Sequence, residues 1–207
     1  MKPGAVAVAL TGASGIPYGM RLLECLVAAG ETVWVMVSEA ARVVAGLETD
    51  YDLPGRNADL ERWFRQRLGA AEGQVSLFGT QQWTAPPASG SNPPRAMVVC
   101  PCTMGTLAAI AQGTSDNLVE RAADVVLKEG RELILVPRET PLSAIHLENM
   151  LRLARAGAVI MPACPGFYHR PEEVGDLVDF MVARILDRLG IEHDLMPPWG
   201  EEQGVRT

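Results

Sequence analysis

Residues 5–10 form an unbroken apolar run, Ala5-Val6-Ala7-Val8-Ala9-Leu10, which passes through Thr11-Gly12-Ala13-Ser14-Gly15 into a segment with helical spacing over 20–26. This stretch limits the fold more than any other. A strand that is apolar at successive positions is covered on both faces, as in a parallel sheet packed between helices. The loop after it delivers free backbone N–H groups at a helix start, a place suited to a phosphate or an electron-rich ring edge. Gly12 and Gly15 allow close backbone approach there, and Thr11 and Ser14 add hydroxyls.

The same strand-to-helix pattern recurs along the chain. Residues 32–37 are a second apolar run, and Ser38 stands at the N-cap position of a helix over 39–47. Residues 58–68 read as an amphipathic helix with Arg62, Arg65 and Arg67 on a solvated face, and 74–78 as a short strand. Residues 84–94 carry too much proline for regular structure, and a loop of that length inside a domain is usually functional or disordered. Strands are further expected over 96–100, 133–136 and 158–161, and helices after Thr106 through Ala111 and over 118–129, 143–156 and 172–189. The alternation predicts an α/β fold. Its form is a three-layer, doubly wound parallel sheet of flavodoxin or Rossmann type, with the site at the carboxyl ends of the strands. Residues 1–207 are expected to make one domain, with a C-terminal tail from about 190.

A net charge of -7 argues against a nucleic-acid or anionic-membrane partner, since nothing would offset phosphate repulsion over a broad surface. Any anion must be met locally. Cys25, Cys100, Cys102 and Cys164 lie in apolar segments without zinc-type spacing, and are expected to be reduced thiols in a cytoplasmic protein. The sequence shows no basic-then-apolar leader and no apolar run near the roughly 18 residues of a membrane span, so neither secretion nor membrane insertion is expected.

Thr11, Ser14, Ser38, Thr103, Thr106, Arg138, Glu139 and Tyr168 fall at the expected strand ends. Lys128 and Lys2 are the two lysines against sixteen arginines; Lys128 follows Arg121 by seven residues on one helix, with Asp124 between. That spacing makes either a surface ion-pair row or part of an anion site. Arg138-Glu139 directly follows a buried strand and is held between Pro137 and Pro141, where charge has little packing purpose and function is favoured. Asp176 and Asp179 read as helix-surface acids, and His146, His169 and His193 have no ligand pattern, so no metal is expected. Gly12-Ala13-Ser14-Gly15 does not match the Gly-x-Ser-x-Gly nucleophile elbow.

Seven pieces in order resemble the UbiX-like flavin prenyltransferases. They are Thr11-Gly12-Ala13-Ser14-Gly15, Leu47-Glu48-Thr49-Asp50, Pro87-Ala88-Ser89-Gly90-Ser91, Cys100-Pro101-Cys102, the stretch from Glu120-Arg121 to Lys128-Glu129, Val136-Pro137-Arg138-Glu139-Thr140-Pro141-Leu142, and Gly166-Phe167-Tyr168-His169. The resemblance implies a flavodoxin-like flavoprotein. It implies metal-independent transfer of a dimethylallyl group from dimethylallyl monophosphate to N5 and C6 of reduced FMN. The product, prenylated FMN, would serve a UbiD-type decarboxylase in ubiquinone biosynthesis or related aromatic acid decarboxylation. It further implies a homo-oligomer, a dodecamer, with sites at subunit contacts.

Carried onto this sequence, the resemblance gives Gly12, Ala13, Ser14, Ser38, Thr103, Met104, Gly105, Thr106 and Arg138 to FMN. It gives Ser89, Gly90, Arg121, Lys128, Glu139, Tyr168 and Arg184 to the prenyl phosphate. Ser14 and Glu48 would manage protons near flavin N5, Glu139 would donate or shuttle a proton, and Lys128 would offset charge on the departing phosphate. Trp199 would stabilise an allylic cation, an interaction worth about 0.5–2 kcal/mol. A nicotinamide-dependent reductase is disfavoured, because no tyrosine has a lysine four residues on. A flavin-dependent cysteine decarboxylase and a non-catalytic FMN carrier stand as the alternatives.

Overall fold

Every residue of β1 (Val6–Leu10) is buried, and its side chains alternate between two cores. Val6, Val8 and Leu10 enter one core, while Ala7 and Ala9 enter the other. The same division continues through β4 (Ala96–Cys102), where Val98 and Cys100 oppose Met97, Val99 and Cys102. With β2 (Val33–Val37), β3 (Val75–Phe78), β5 (Glu132–Pro137) and β6 (Val159–Ile160), these strands form one parallel sheet in the order β3-β2-β1-β4-β5-β6. The computed structural model describes residues 4–196. Trp199 lies outside the described residues.

Helices cover both faces. α1 (Ile16–Ala28), α2 (Glu39–Glu48), α3 (Asn57–Arg67) and α7 (Val174–Leu189) pack on the first core. α4 (Met104–Gln112), α5 (Leu118–Lys128) and α6 (Ala144–Arg155) pack on the second. Leu22, Leu23 and Leu26 of α1 are fully buried, each contributing on the order of 1.5–3 kcal/mol through lost apolar exposure. The expected three-layer, doubly wound architecture is therefore the observed one.

Several boundaries move for identifiable reasons. α1 begins at Ile16 rather than Met20, since Pro17 is tolerated in a first turn whose N–H groups have no helical partner. β4 runs on to Cys102 instead of stopping at Cys100. α7 begins at Val174 rather than Glu172, because the Asp176 carboxylate accepts from the Glu172 and Glu173 N–H groups at 2.7 and 3.1 Å and caps the helix. Asp179, read as a surface acid, instead binds Arg21 at 2.7 Å and ties α7 to α1. Cys164 is exposed, contrary to the apolar setting expected for all four cysteines.

The proline-rich loop has a defined course. Two parallel neighbours in sequence require a crossover, so the chain leaving the carboxyl end of β3 must return to the amino end of β4. It does so laid along α5. The Leu118 N–H donates to the Thr80 carbonyl at 2.7 Å, Arg121 Nε donates to the Ala88 carbonyl at 3.1 Å, and Pro86–Ala88 makes a 3₁₀ turn between them. No described helix is long and apolar enough to cross a membrane.

Candidate active site at the strand ends

From β1 the chain steps outward through β2 to β3, and from β4 it steps the other way through β5 to β6. The loops after β1 and β4 therefore diverge to opposite faces and leave a crevice between them, the place where ligands bind in such sheets. Thr11 closes its floor. Buried to 2% exposure, its hydroxyl donates to the Pro101 carbonyl and accepts from the Thr103 N–H, both at 2.8 Å.

Above that floor stand most of the residues expected to hold a flavin. The Thr103 hydroxyl caps α4 by accepting from the Thr106 N–H at 3.0 Å and lies 2.9 Å from the Thr106 hydroxyl. Ser38 caps α2 through the Ala41 N–H at 3.1 Å. Arg138 Nε donates to the Ser14 carbonyl at 3.3 Å, so the loops after β1 and β5 meet across the crevice. Ala13 and Met104 are buried, so their side chains serve packing.

The anion expected at the start of α1 is supplied by the chain itself. Glu48, at the end of α2, accepts from the Gly15 N–H at 2.9 Å and the Ile16 N–H at 3.0 Å. A negative group there is favoured by the unpaired N–H groups and the helix dipole. Gly15, at φ 114°, needs the freedom of glycine. Packing keeps Gly12 small, because a Cβ on it would lie 2.4 Å from the Ala40 Cβ. Glu48 is thereby held beside the loop that carries Ser14.

The expected phosphate ligands do not converge within one chain. Arg121 pairs with Asp124 at 2.7 Å, and Lys128 pairs with Glu129 beside Gly90. Ser89 shares a 2.8 Å hydrogen bond with Ser91 in the same loop. These groups belong to the α5 face of the sheet. Tyr168 packs edge-on against Phe180 of α7 at 5.6 Å, and with Arg184 it lines a cleft of about 650 Å³ on the opposite face. Arg184 pairs with Asp187 at 2.9 Å. Glu139 is exposed beyond the end of β5, its carboxylate accepting from the Thr140 N–H at 3.2 Å. Lys128 precedes β5 and Arg138 follows it, which separates them by roughly 20 Å of strand.

Sequence reading missed Phe180 and treated His169 only as a loop residue. The imidazole stacks on Phe180 at 5.4 Å, and its two nitrogens have no hydrogen-bond partner among the described residues. His146 closes a capping box with Ser143, and His193 lies 3.2 Å from Asp187. Among the described residues no group of three or more His, Cys, Asp or Glu side chains is placed to hold a metal ion.

A family model described as Flavoprotein matches residues 1–186. The chain is 56% identical over 203 residues to the flavin prenyltransferase UbiX of Pseudomonas aeruginosa, covering 98% of this chain and 97% of that protein. It belongs to the UbiX flavin prenyltransferase family. Another member, from Halalkalibacterium halodurans, is 48% identical over 97% of this chain and 95% of its own length. Among solved members, AnUbiX (PadA1) in complex with FMN and dimethylallyl pyrophosphate superposes with a TM-score of 0.86 at 38% identity, covering 98% of this chain and 100% of that one. A dodecameric FMN-dependent UbiX-like decarboxylase from Escherichia coli O157:H7 gives a TM-score of 0.81 at 44% identity, covering 91% and 96%. The FMN-dependent cysteine decarboxylase TvaF, at 20% identity and a TM-score of 0.55, shares the fold alone with this UbiX family member.

Proposed function

We propose that the protein transfers a dimethylallyl group from dimethylallyl monophosphate to N5 and C6 of reduced FMN, releasing prenylated FMN to a UbiD-type decarboxylase of ubiquinone biosynthesis or related aromatic acid decarboxylation. What supports this reading is the β1/β4 crevice, with the Thr103 and Thr106 hydroxyls at the α4 N-terminus after β4 and the Arg138 guanidinium bonded to the Ser14 carbonyl after β1. Such a donor set suits a flavin phosphate, because helix N-terminal N–H groups and a guanidinium both favour an anion. The backbone of Gly12, Ala13, Met104 and Gly105, with Ser14 and Ser38, completes the cradle. We also take residues 1–207 as one cytoplasmic flavoprotein domain.

Bound reduced FMN supplies the nucleophilic ring atoms. The chain's own task is to meet charge as the carbon–oxygen bond to phosphate breaks. Arg121 and Lys128, with the Ser89–Gly90 backbone, stand on one face, and Tyr168 and Arg184 on the other. We therefore assign the donor site to a contact between copies, with the two sets coming from different chains of a homo-oligomer, a dodecamer. Preplaced donors of this kind are each worth about 10²–10³ in rate. Glu139 moves a proton at the phosphate, and Glu48 and Ser14 do so near N5. Trp199 shields the allylic cation.

The test is anaerobic incubation with reduced FMN and dimethylallyl monophosphate, following inorganic phosphate and flavin mass. The reading requires phosphate release together with a flavin heavier by one dimethylallyl unit. FMN binding without donor consumption would leave a flavin carrier, and loss of carbon dioxide from a cysteine-ended peptide would leave a decarboxylase. A Glu48→Gln variant is expected to release phosphate yet stall before the second ring bond.

A further inference from the structure

We propose that Asp124 and Glu129 limit the negative charge the prenyl donor can carry, and so select a monophosphate over a diphosphate. The inference rests on the donor site assigned above and concerns two residues with no role in it so far. Arg121, Asp124 and Lys128 stand at successive turns along one face of α5, so the Asp124 carboxylate lies between the two cations. It holds Arg121 Nη1 at 2.7 Å, and Glu129 holds the Lys128 ammonium. Each cation thus arrives with its own carboxylate, and the formal charge of the four groups is zero.

The crossover loop comes close to one of the two pairs. A Cβ on Gly90 would lie 2.2 Å from Glu129 Oε1 and 2.6 Å from Lys128 Nζ, so the loop backbone presses directly on this pair. The Lys128 ammonium, by hydrogen bonding and by charge, holds the Glu129 carboxyl below its ordinary range, which keeps it anionic. A phosphate drawn to Arg121 and Lys128 must settle beside two negative groups. A second phosphoryl group adds about one further negative charge. At about 7 Å from a carboxylate, in a medium close to water, that charge weakens binding by roughly threefold per carboxylate, or about tenfold for the pair.

Wild type, D124N, E129Q and the double variant are compared with reduced FMN and either dimethylallyl monophosphate or dimethylallyl diphosphate. The diphosphate-to-monophosphate ratio of kcat/KM is expected to rise about tenfold in the double variant, with tighter inhibition by inorganic pyrophosphate and unchanged FMN affinity. A ratio within about twofold of wild type, with both donors still consumed, overturns the inference. Should the double variant fold poorly, E129Q alone carries the test through an expected rise of roughly threefold. If wild type consumes neither donor, the proposed reaction fails. Calorimetric binding of phosphate against pyrophosphate to the same variants then decides the charge effect by itself, an unchanged preference overturning it.

Discussion

The Thr11 hydroxyl works in both directions inside the core, and a methyl in its place strands the Thr103 N–H without a partner. Thr11→Val, nearly the same in shape, is expected to lose about 1–3 kcal/mol in urea unfolding, the usual cost of an orphaned buried donor. It should also weaken FMN binding in a fluorescence titration, whereas Thr11→Ser keeps both. Unchanged affinity in the valine variant would show that the clamp does not set the crevice. Two buried thiols nearby give a pH dependence. Burial pushes Cys102 up to about 12 and Cys100 further still, against 9.0 for an ordinary thiol. The folded chain therefore keeps protons that the unfolded chain releases above pH 9, so this contribution is complete below that value and shrinks as pH climbs toward 12. The loss approaches about 1.4 kcal/mol per pH unit per thiol. Urea midpoints from pH 8 to 10.5 should fall, and fall less steeply in a Cys100→Ala, Cys102→Ala protein. Glu48 shows why such residue-level contacts escape sequence reading: its bonds to Gly15 and Ile16 span 33 and 32 positions, with no local pattern to announce them.

At the scale of elements, the four central strands were legible because each is largely buried on both faces and so leaves a continuous apolar run. Caps such as Ser38 were legible for a local reason too, since the accepting hydroxyl and the N–H that donates to it lie three residues apart. The segment over 79–95 was not. Its course is fixed by the return from β3 to β4 and by contact with α5, neither of which is a property of the segment's own composition. Gly90 is where that course matters most. In Gly90→Ala the added methyl meets the ends of two flexible side chains, Glu129 and Lys128, which can swing aside. Thermal stability should hardly change, while KM for the prenyl donor rises because Lys128 is displaced from the loop. A lowered melting temperature with unchanged KM would instead make Gly90 a purely structural position.

For the whole molecule, the sheet that makes the fold also divides the residues proposed to hold the prenyl donor. α5 carries Arg121 and Lys128 on one face, and α7 carries Arg184 with Tyr168 packed against it on the other. Exposed Ile145, Leu147 and Leu151 on α6 add apolar surface of the kind that association covers. Mixing two damaged chains separates assembly in one chain from assembly between copies. Lys128→Ala and Arg184→Ala are each expected to lose about 10²–10³ in rate when made alone. In oligomers co-expressed from both, a site built within one chain always contains one lesion and stays inactive. A site built across two chains finds both intact halves in about one quarter of random pairings, so activity should return to about one quarter of wild type. Purified mixed oligomers that stay as slow as either parent would place Lys128 and Arg184 in a site made by one chain, and the assignment of the donor site to a contact between copies would fail.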